Sequence, residues 1–454
     1  MNQNKLFVFI KSILNIKHET ANILKNSWSI SWPMIIIMLI EFLIGITDVF
    51  IAGKIGKEVQ ASVGFVAQLY FVIMVVGNAL AVGTVSVVSR LYGAKQTHDL
   101  SNAVYTATRF SVAFGAVLGA AGLLFSGPLI NLFNIPEAIK EYGLPLIRVY
   151  LAGLIFHFFI LASNAVLRGC KMMKRTLSTM LVVCAINIGL NFILVFHTPV
   201  GFRGIFLSTV ISYAAGCIIN AVHLKQLFTA DRKFDPALLK KMAGIGWPTG
   251  LQQVLWQIGG TILFLIISEL PENTVEIIAA FTNGLRIEAA IYVIAFALNN
   301  ANAVIIGNLL GEGRHADAVK SGIATGLMGV VIITLQTVLV ISNAENLSWL
   351  LSENGIVVNE SMRYLYIAML SEPLMAWAVI LSGALIGAGD TKTVMKIVVG
   401  SQWIVRLPLA YIAGIYFKNG AAAIWWAMNM SILAHAVFIS IRYFDKKWLN
   451  TNKL

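Results

Sequence analysis

The sequence predicts an all-α polytopic membrane protein, with twelve transmembrane helices in two pseudo-symmetric six-helix lobes around a central cleft. Three observations predict this fold. Only 12% of the 454 residues are charged, about half the share that is usual in soluble domains, and the mean hydropathy is +0.80. Twelve apolar runs are each long enough to cross a bilayer. The second half of the chain also repeats the first.

The predicted spans are apolar runs of about 20 residues, the length that an α-helix needs to cross the hydrocarbon of a bilayer. They cover residues 30–52, 64–88, 106–127, 144–167, 176–196, 204–224, 248–268, 277–306, 320–342, 363–388, 394–417 and 419–441.

The spans divide the chain into five predicted segments. We expect a cytoplasmic or interfacial amphipathic segment at 1–29, an N-lobe at 30–228, a cytoplasmic linker at 229–247, a C-lobe at 248–443 and a cytoplasmic tail at 444–454. The apolar stretch between the first two lysines is too short for a secretory signal and has no cleavage site. In the first segment, four lysines are expected to meet anionic headgroups: Lys5, Lys11, Lys17 and Lys25.

The basic residues predict the orientation of the chain. If the N-terminus is cytoplasmic, the cytoplasmic segments hold 23 of the 33 Lys and Arg residues and the external loops hold 6. The other four, Arg109, Arg148, Arg286 and Arg406, lie in or at the ends of spans. Positive charge concentrates on the cytoplasmic side of membrane proteins, so both termini are predicted to be cytoplasmic. The charge of +12 therefore gives no reason to expect nucleic acid as a partner.

An internal repeat relates the two halves. A shift of 218 residues aligns apolar, glycine and charged positions of the first half with identical residues of the second, including Gly93 with Gly311, Asp99 with Asp317 and Lys174 with Lys392. Six spans per repeat give both halves the same orientation, with a pseudo-two-fold axis along the membrane normal. Two parallel lobes of this kind are typical of transporters that work by alternating access.

Four carboxylates fall inside or near the predicted spans: Glu41, Asp48, Glu288 and Glu372. Each would cost about 2.5–3.5 kcal/mol if it faced lipid, on insertion scales. They are therefore expected to face a wet cavity, to be protonated or to have partners.

In the first half, Asp48 lies about 6 Å below the predicted outer end of its span, at 1.5 Å per residue. Asn191 and Thr209 lie about 8 Å below theirs, and Asn187 is one turn deeper than Asn191. This all-oxygen set suits Na⁺ or a proton-sharing network. The alternative is that the amides and the hydroxyl only bond neighbouring helices together. Glu41, two turns before Asp48, is predicted to face the same cavity.

In the second half, Glu288 and Glu372 fall near mid-membrane, about 16 and 14 Å below the predicted outer face. They are predicted to line a substrate cavity with Gln257. The alternative is that Arg286 or Arg406 neutralises a carboxylate and merely braces the helices.

The sequence lacks the common motifs for nucleotide binding, metal binding and catalysis. No nucleotide-binding glycine loop, His/Cys metal motif or HExxH pair is present, so an enzyme is not expected and no cofactor is called for. Cys170, Cys184 and Cys217 are expected to be reduced apolar residues. His157 and His435 are expected to be hydrogen-bonded packing residues.

Several motifs resemble those of the multidrug and toxic compound extrusion (MATE) family, over essentially all of residues 25–445. They are Trp32-Pro33 leading to Asp48-Val49-Phe50-Ile51-Ala52-Gly53, Leu167-Arg168-Gly169, Gly307-Asn308-Leu309-Leu310-Gly311, Gly387-Ala388-Gly389-Asp390-Thr391-Lys392 and Trp403 with Arg406-Leu407-Pro408-Leu409-Ala410-Tyr411.

The resemblance implies an antiporter of the bacterial inner membrane, acting as a monomer. It would export organic cations or amphipathic drugs, and so confer antibiotic resistance, against inward Na⁺ or H⁺. It places the coupling site on Asp48, Asn187, Asn191 and Thr209, where Asn191 replaces the aspartate of some members. Family acids of the second half match Glu288 and Glu372, but the seventh span offers Trp256 and Gln257 instead of an acid. A lipid or lipid-linked oligosaccharide flippase of related architecture is the alternative function, and a membrane-embedded enzyme is a remote one.

Overall fold

The computed structural model describes residues 3–450, with side chains described from residue 21 onward. Within this range the chain is helical and contains no β-strand. The first six long helices are α1 (Gln3–Ile55), α2 (Lys57–Gly93), α3 (Thr97–Asn131), α4 (Glu137–Gly169), α5 (Met173–Phe196) and α6 (Gly204–Lys225).

The next six are α7 (Pro236–Ser268), α8 (Thr274–Gly311), α9 (His315–Ser342), α10 (Gly355–Gly387), α11 (Thr391–Tyr416) and α12 (Gly420–Phe444). A short helix, Ala344–Leu351, lies between α9 and α10. Twelve helices of the described chain are long and apolar enough to cross a membrane. Nine of them contain a predicted span completely, and the last three each contain one except for a single terminal residue. The predicted all-helical, twelve-span fold is therefore confirmed.

The helices extend beyond the predicted apolar runs. The seventh run begins at residue 248, whereas α7 begins at Pro236. Pro248 lies inside α7, just as Pro33 lies inside α1. Lys25 is on α1, but Lys5, Lys11 and Lys17, which were predicted to meet headgroups, lie outside the residues whose side chains are described.

The chain forms two compact units. One unit consists of Ile36–Val254, and the other of Leu255–Leu454 together with Met1–Ile35. The boundaries therefore fall inside α1 and α7.

Glycines allow the helices of the Ile36–Val254 unit to pack closely. A Cβ on Gly119 would lie 2.6 Å from the carbonyl oxygen of Leu151 on α4, and one on Gly83 would lie 1.9 Å from that of Met242 on α7. Small residues at helix crossings let backbones approach one another, as is common in membrane bundles. The adjoining core is apolar, and Leu151, Leu154 and Phe158 of α4 are almost fully buried there.

In the other unit, α8 packs on α10 in the same way. A Cβ on Gly383 would lie 2.1 Å from the carbonyl oxygen of Asn299, so no side chain fits there. The amide nitrogens of Asn299 and Asn302 donate to the carbonyl oxygens of Val379 and Ile380, at 2.6 and 2.9 Å. Side-chain amides of this kind bond transmembrane helices together.

Two helices of this unit depart from α-helical geometry beside prolines. In α10, a 3₁₀ turn covers Met369–Ser371, just before Pro373. In α11, the segments Ser401–Arg406 and Ala410–Tyr416 are π-helical and flank Pro408. Proline lacks an N–H group and its ring clashes with the preceding turn, and π-helical turns of this kind are frequent at functional sites.

Candidate functional site

Four polar side chains meet in the interior of the Ile36–Val254 unit. Asp48 comes from the end of α1, Asn187 and Asn191 from α5, and Thr209 from α6. The two asparagines are one helical turn apart, so they present their side chains on one face. At most 5% of the surface of each of these residues is exposed. The structure therefore brings together all four residues that were predicted as the coupling site.

Hydrogen bonds connect the four residues into one cluster. The Asn191 Nδ2 donates to Asp48 Oδ1 at 2.8 Å, and the Thr209 hydroxyl donates to Asp48 Oδ2 at 3.5 Å. The Asn187 Nδ2 donates to Thr209 Oγ1 at 3.0 Å, and Asn191 Nδ2 also approaches Asn187 Oδ1 at 3.4 Å. Asn191 therefore holds Asp48 Oδ1 firmly, whereas the Thr209 hydroxyl, which also lies 3.4 Å from the carbonyl oxygen of Ile205, makes only a long contact to Oδ2.

The cluster contains one carboxyl group without a basic partner and one spare amide oxygen. No Lys, Arg or His forms an ion pair with Asp48 among the described residues. The buried Oδ1 of Asn191 accepts no hydrogen bond there either. Since a buried acceptor without a partner is costly and oxygen ligands suit hard cations, these atoms fit a small cation or a proton.

A column of rings lies beside this cluster. Tyr150 stacks on Phe206 and on Tyr70, with centroids 3.9 and 4.2 Å apart. The Tyr70 hydroxyl is hydrogen-bonded to Nδ1 of His157, whose ring centroid is 4.5 Å from that of Tyr213. His157 is thus hydrogen-bonded and packed. The sequence analysis did not identify the three tyrosines as candidates. The pattern that could have indicated them is a polar hydroxyl group on an aromatic residue within an apolar run.

Glu41 lies on α1, two turns before Asp48, but does not join the cluster. Its side chain is exposed and makes no hydrogen bond or ion pair within the described chain. Arg168, at the end of α4, is the basic group whose charge acts on it. Glu41 therefore has no fixed partner.

A second charged cluster lies inside the Leu255–Leu454 unit. The Tyr364 hydroxyl donates to Glu288 Oε1 at 2.7 Å. Glu372 is 1% exposed, and its Oε2 has no hydrogen-bond partner among the described residues. Each carboxyl interacts electrostatically with the other and with Arg406. The structure therefore groups the two acids that sequence reasoning placed at mid-membrane.

Arg406 is fixed in the π-helical part of α11. Its Nε donates to the Ser431 hydroxyl at 2.8 Å, and its guanidinium carbon lies 5.1 Å from the centroid of the Trp256 ring. Arg286, by contrast, is exposed on α8, so Arg406 is the basic partner of this cluster. Two carboxyls face one guanidinium, which leaves one of them without an opposite charge.

Gln257 does not join either cluster. It lies on α7 with an exposed side chain, and its backbone oxygen accepts a hydrogen bond from the Thr261 hydroxyl at 3.2 Å. Its neighbour Trp256, on the other hand, contacts the charged cluster through Arg406. The predicted place of Gln257 in a substrate cavity stays a prediction.

Twelve apolar helices make the chain an integral membrane protein, and buried carboxyls inside such helices are typical of transporters. The chain belongs to the MatE family, whose model matches residues 33–193 and 248–412. The predicted resemblance to MATE transporters is confirmed. Members of this family are transporters of small organic compounds and not enzymes, which confirms that expectation too.

Individual relatives agree with this assignment. The chain is 23% identical over 438 residues to the uncharacterized transporter YisQ of Bacillus subtilis (strain 168), covering 93% of this chain and 94% of YisQ. It is 22% identical over 445 residues to a probable multidrug resistance protein, NorM, of Thermotoga maritima, covering 95% and 94%. The bent form of VcmN, a MATE transporter of Vibrio cholerae, has a TM-score of 0.88 at 18% identity, covering 94% of this chain and 98% of that one.

Proposed function

We propose that this protein is an antiporter that exports organic cations, including multiple drugs, in exchange for Na⁺ or H⁺. The observation that carries the proposal is the buried cluster of Asp48, Asn187, Asn191 and Thr209, which combines one carboxylate without an ion pair with an unpartnered amide oxygen. A buried charge of this kind is costly in a membrane. Binding a monovalent cation removes most of that cost.

The hydrogen bonds of Asp48 make Na⁺ and H⁺ alternative ligands of the cluster. With Asp48 ionised, its oxygens, Asn191 Oδ1 and the Thr209 hydroxyl oxygen can all face a metal ion. A proton on Oδ2 turns that atom into a donor, so Thr209 must then accept a hydrogen bond from it. The cluster therefore holds one positive charge in either form.

Exchange follows from differential binding to two conformations. The coupling ion binds when the cluster is open to the outside, and it favours the conformation that is open to the inside. The organic cation is taken up in that conformation and released on the outer side. Neither ligand has to touch the other, because a difference in affinity between the two conformations is sufficient.

The organic cation would be attracted by carboxylates that have spare charge. Glu41 makes no ion pair within the described chain, although the charge of Arg168 acts on it, and Glu288 and Glu372 are two carboxyls beside the single guanidinium of Arg406. Gln257 and the Trp256 ring would add a polar and an aromatic contact, since a cation over an aromatic face is stabilised.

Location and orientation are part of the proposal. We place the protein in a bacterial inner membrane as a monomer, with both termini in the cytoplasm. The orientation is supported by the distribution of 23 basic residues on one side against 6 on the other. The predicted lobes 30–228 and 248–443 would be the parts that move.

Transport in proteoliposomes tests the proposal. Purified protein is reconstituted with ethidium as the substrate, and a Na⁺ gradient or a pH gradient is imposed separately. We expect at least one gradient to drive ethidium against its concentration. If neither gradient does so while the protein remains folded in the vesicles, antiport is refuted. A lipid-flipping assay on the same vesicles tests the flippase alternative.

A further inference from the structure

The segment that joins α6 to α7 is fastened to the first turns of α3. Three of its backbone N–H groups donate to buried side chains of α3: Thr229 N to Ser101 Oγ at 2.8 Å, Lys233 N to Asn102 Oδ1 at 2.8 Å and Asp235 N to Thr106 Oγ1 at 2.9 Å. Because each bond lies at a different position along the segment, its backbone follows one path. Its side chains are thereby held next to α3.

This path places two arginines around one tyrosine. The guanidinium carbons of Arg109, on α3, and Arg232, on the joining segment, lie 5.6 and 5.7 Å from the centroid of the Tyr105 ring. Arg109 also donates to the Tyr105 hydroxyl at 2.7 Å. Arg232 lies 4.9 Å from the centroid of Phe228, whose ring meets Tyr105 edge to face. Two guanidinium groups therefore contact the Tyr105 ring, and that of Arg232 also contacts Phe228.

Neither arginine has an acidic partner in the described part of the chain. Within the described residues Arg109 donates one hydrogen bond, to the Tyr105 hydroxyl, and Arg232 donates one, to the carbonyl oxygen of Thr229 at 3.4 Å. Both side chains are exposed. A guanidinium has five N–H donors, so most donors of this pair are free for a ligand with several acceptor oxygens.

The position of Arg109 indicates where such a ligand comes from. Arg109 lies within the predicted apolar span 106–127, near the end at which α3 begins. An exposed arginine there is costly unless it reaches the interface or meets an anion. Arg109 is only three residues, about 5 Å, inside the predicted end of this span, so a long arginine side chain can extend to the phosphates at the membrane interface. Basic groups beside transmembrane helices bind such headgroups.

We propose that Arg109 and Arg232 bind one phosphate group, that of an anionic phospholipid in the leaflet beside the joining segment. Both guanidinium groups donate to the phosphate oxygens. The Tyr105 hydroxyl accepts from Arg109 and keeps its own hydrogen free for the same ligand. The lipid then holds α3 and the joining segment together through both arginines. This site is separate from the Asp48 cluster and does not depend on the proposed transport.

Lipid binding to the full chain tests the proposal. The protein in nanodiscs made from an equal mixture of phosphatidylglycerol and phosphatidylcholine is released into detergent, and its retained lipids are counted by native mass spectrometry. We expect the Arg109→Gln/Arg232→Gln variant to lose phosphatidylglycerol preference by roughly tenfold, since each basic residue near a membrane surface contributes measurably to anionic lipid binding. Arg232→Gln alone, on an exposed segment, is expected to show a smaller loss and covers the case in which the double variant does not fold.

The matched control is Lys225→Gln/Lys233→Gln, which removes the same charge from exposed lysines nearby. It should keep the preference. Equal losses in both double variants would mean bulk attraction only, and an unchanged preference without the arginines would also overturn the proposal. Inorganic phosphate is the second probe, with thermal unfolding as the readout. Stabilisation of the wild type by phosphate but not by short-chain phosphatidylglycerol would assign the site to soluble phosphate and refute the lipid.

Discussion

The amide nitrogen of Asn191 donates to Oδ1 of Asp48 at 2.8 Å, from a helix that lies 143 residues further along the chain. The other amide atom of Asn191, its buried Oδ1, accepts no hydrogen bond from the described residues. One side chain thus fixes the carboxylate and offers an oxygen beside it. This relationship makes Asn191 a direct probe of the proposed ion site.

Replacing that amide with a carboxylate should strengthen Na⁺ binding. Asn191→Asp adds a negative charge without changing the shape of the side chain, and ligand charge raises the affinity of oxygen sites for hard cations. We expect the Na⁺ concentration for half-maximal ethidium efflux, measured in proteoliposomes at pH 8, to fall roughly tenfold. Asn191→Leu, the control of similar size, should raise it. An unchanged or higher concentration for the Asp variant would contradict the account.

The charge balance of the second cluster predicts an effect on stability. Arg406→Met leaves Glu288 and Glu372 without a positive partner, and removing one member of a buried charged set costs about 3–5 kcal/mol. The variant should unfold at a clearly lower temperature in detergent. Adding Glu372→Gln to Arg406→Met should restore part of the loss, because the remaining carboxyl keeps its bond to Tyr364. Additive losses in the double variant would show that these groups do not interact.

Much of this organisation could be predicted from the sequence. Apolar runs located all twelve helices, because hydrocarbon thickness fixes the length of a spanning helix. The cluster of Asp48, Asn187, Asn191 and Thr209 could be found because helical rise converts position along a span into depth. Asn187 and Asn191 share a face for the same geometric reason.

Contacts that depend on helix rotation could not be predicted in this way. The hydrogen bond from Tyr364 to Glu288 and the placement of Arg406 over Trp256 require knowing which sides of neighbouring helices meet, and depth carries no such information. The same holds for the hydrogen bond between Tyr70 and His157. The boundary between the two units, at Val254 and Leu255, could not be predicted from the sequence either, because it falls inside the unbroken helix Pro236–Ser268.

Close packing of α8 on α10 predicts intolerance of even a methyl group. A Cβ on Gly383 would lie 2.1 Å from the Asn299 carbonyl oxygen, and overpacking of this kind costs about 1–3 kcal/mol or more. Gly383→Ala should therefore lower the yield of monodisperse protein in size-exclusion chromatography. Gly189→Ala on α5, where a Cβ meets nothing within 4 Å, should match the wild type. The reverse ranking would argue against this helix contact.

The turn between α4 and α5 predicts an unreactive thiol. Burial raises the pKa of Cys170 to about 12, so almost none of it is thiolate at neutral pH, and the thiolate is the reactive form. In a Cys184→Ser/Cys217→Ser variant, N-ethylmaleimide at pH 7.5 should label Cys170 slowly. Labelling should become fast once detergent denatures the protein. Rapid labelling of the native protein would show that Cys170 is accessible.

The central claim is that Asp48 carries the coupling charge. The most direct measurement is ion-driven ethidium efflux from cells that express Asp48→Asn, with the amount of protein in the membrane checked by immunoblotting. The amide cannot be ionised and keeps nearly the same shape, so we expect efflux to fall to the level of cells without the protein. Efflux at the wild-type rate, with equal protein in the membrane, would contradict the account.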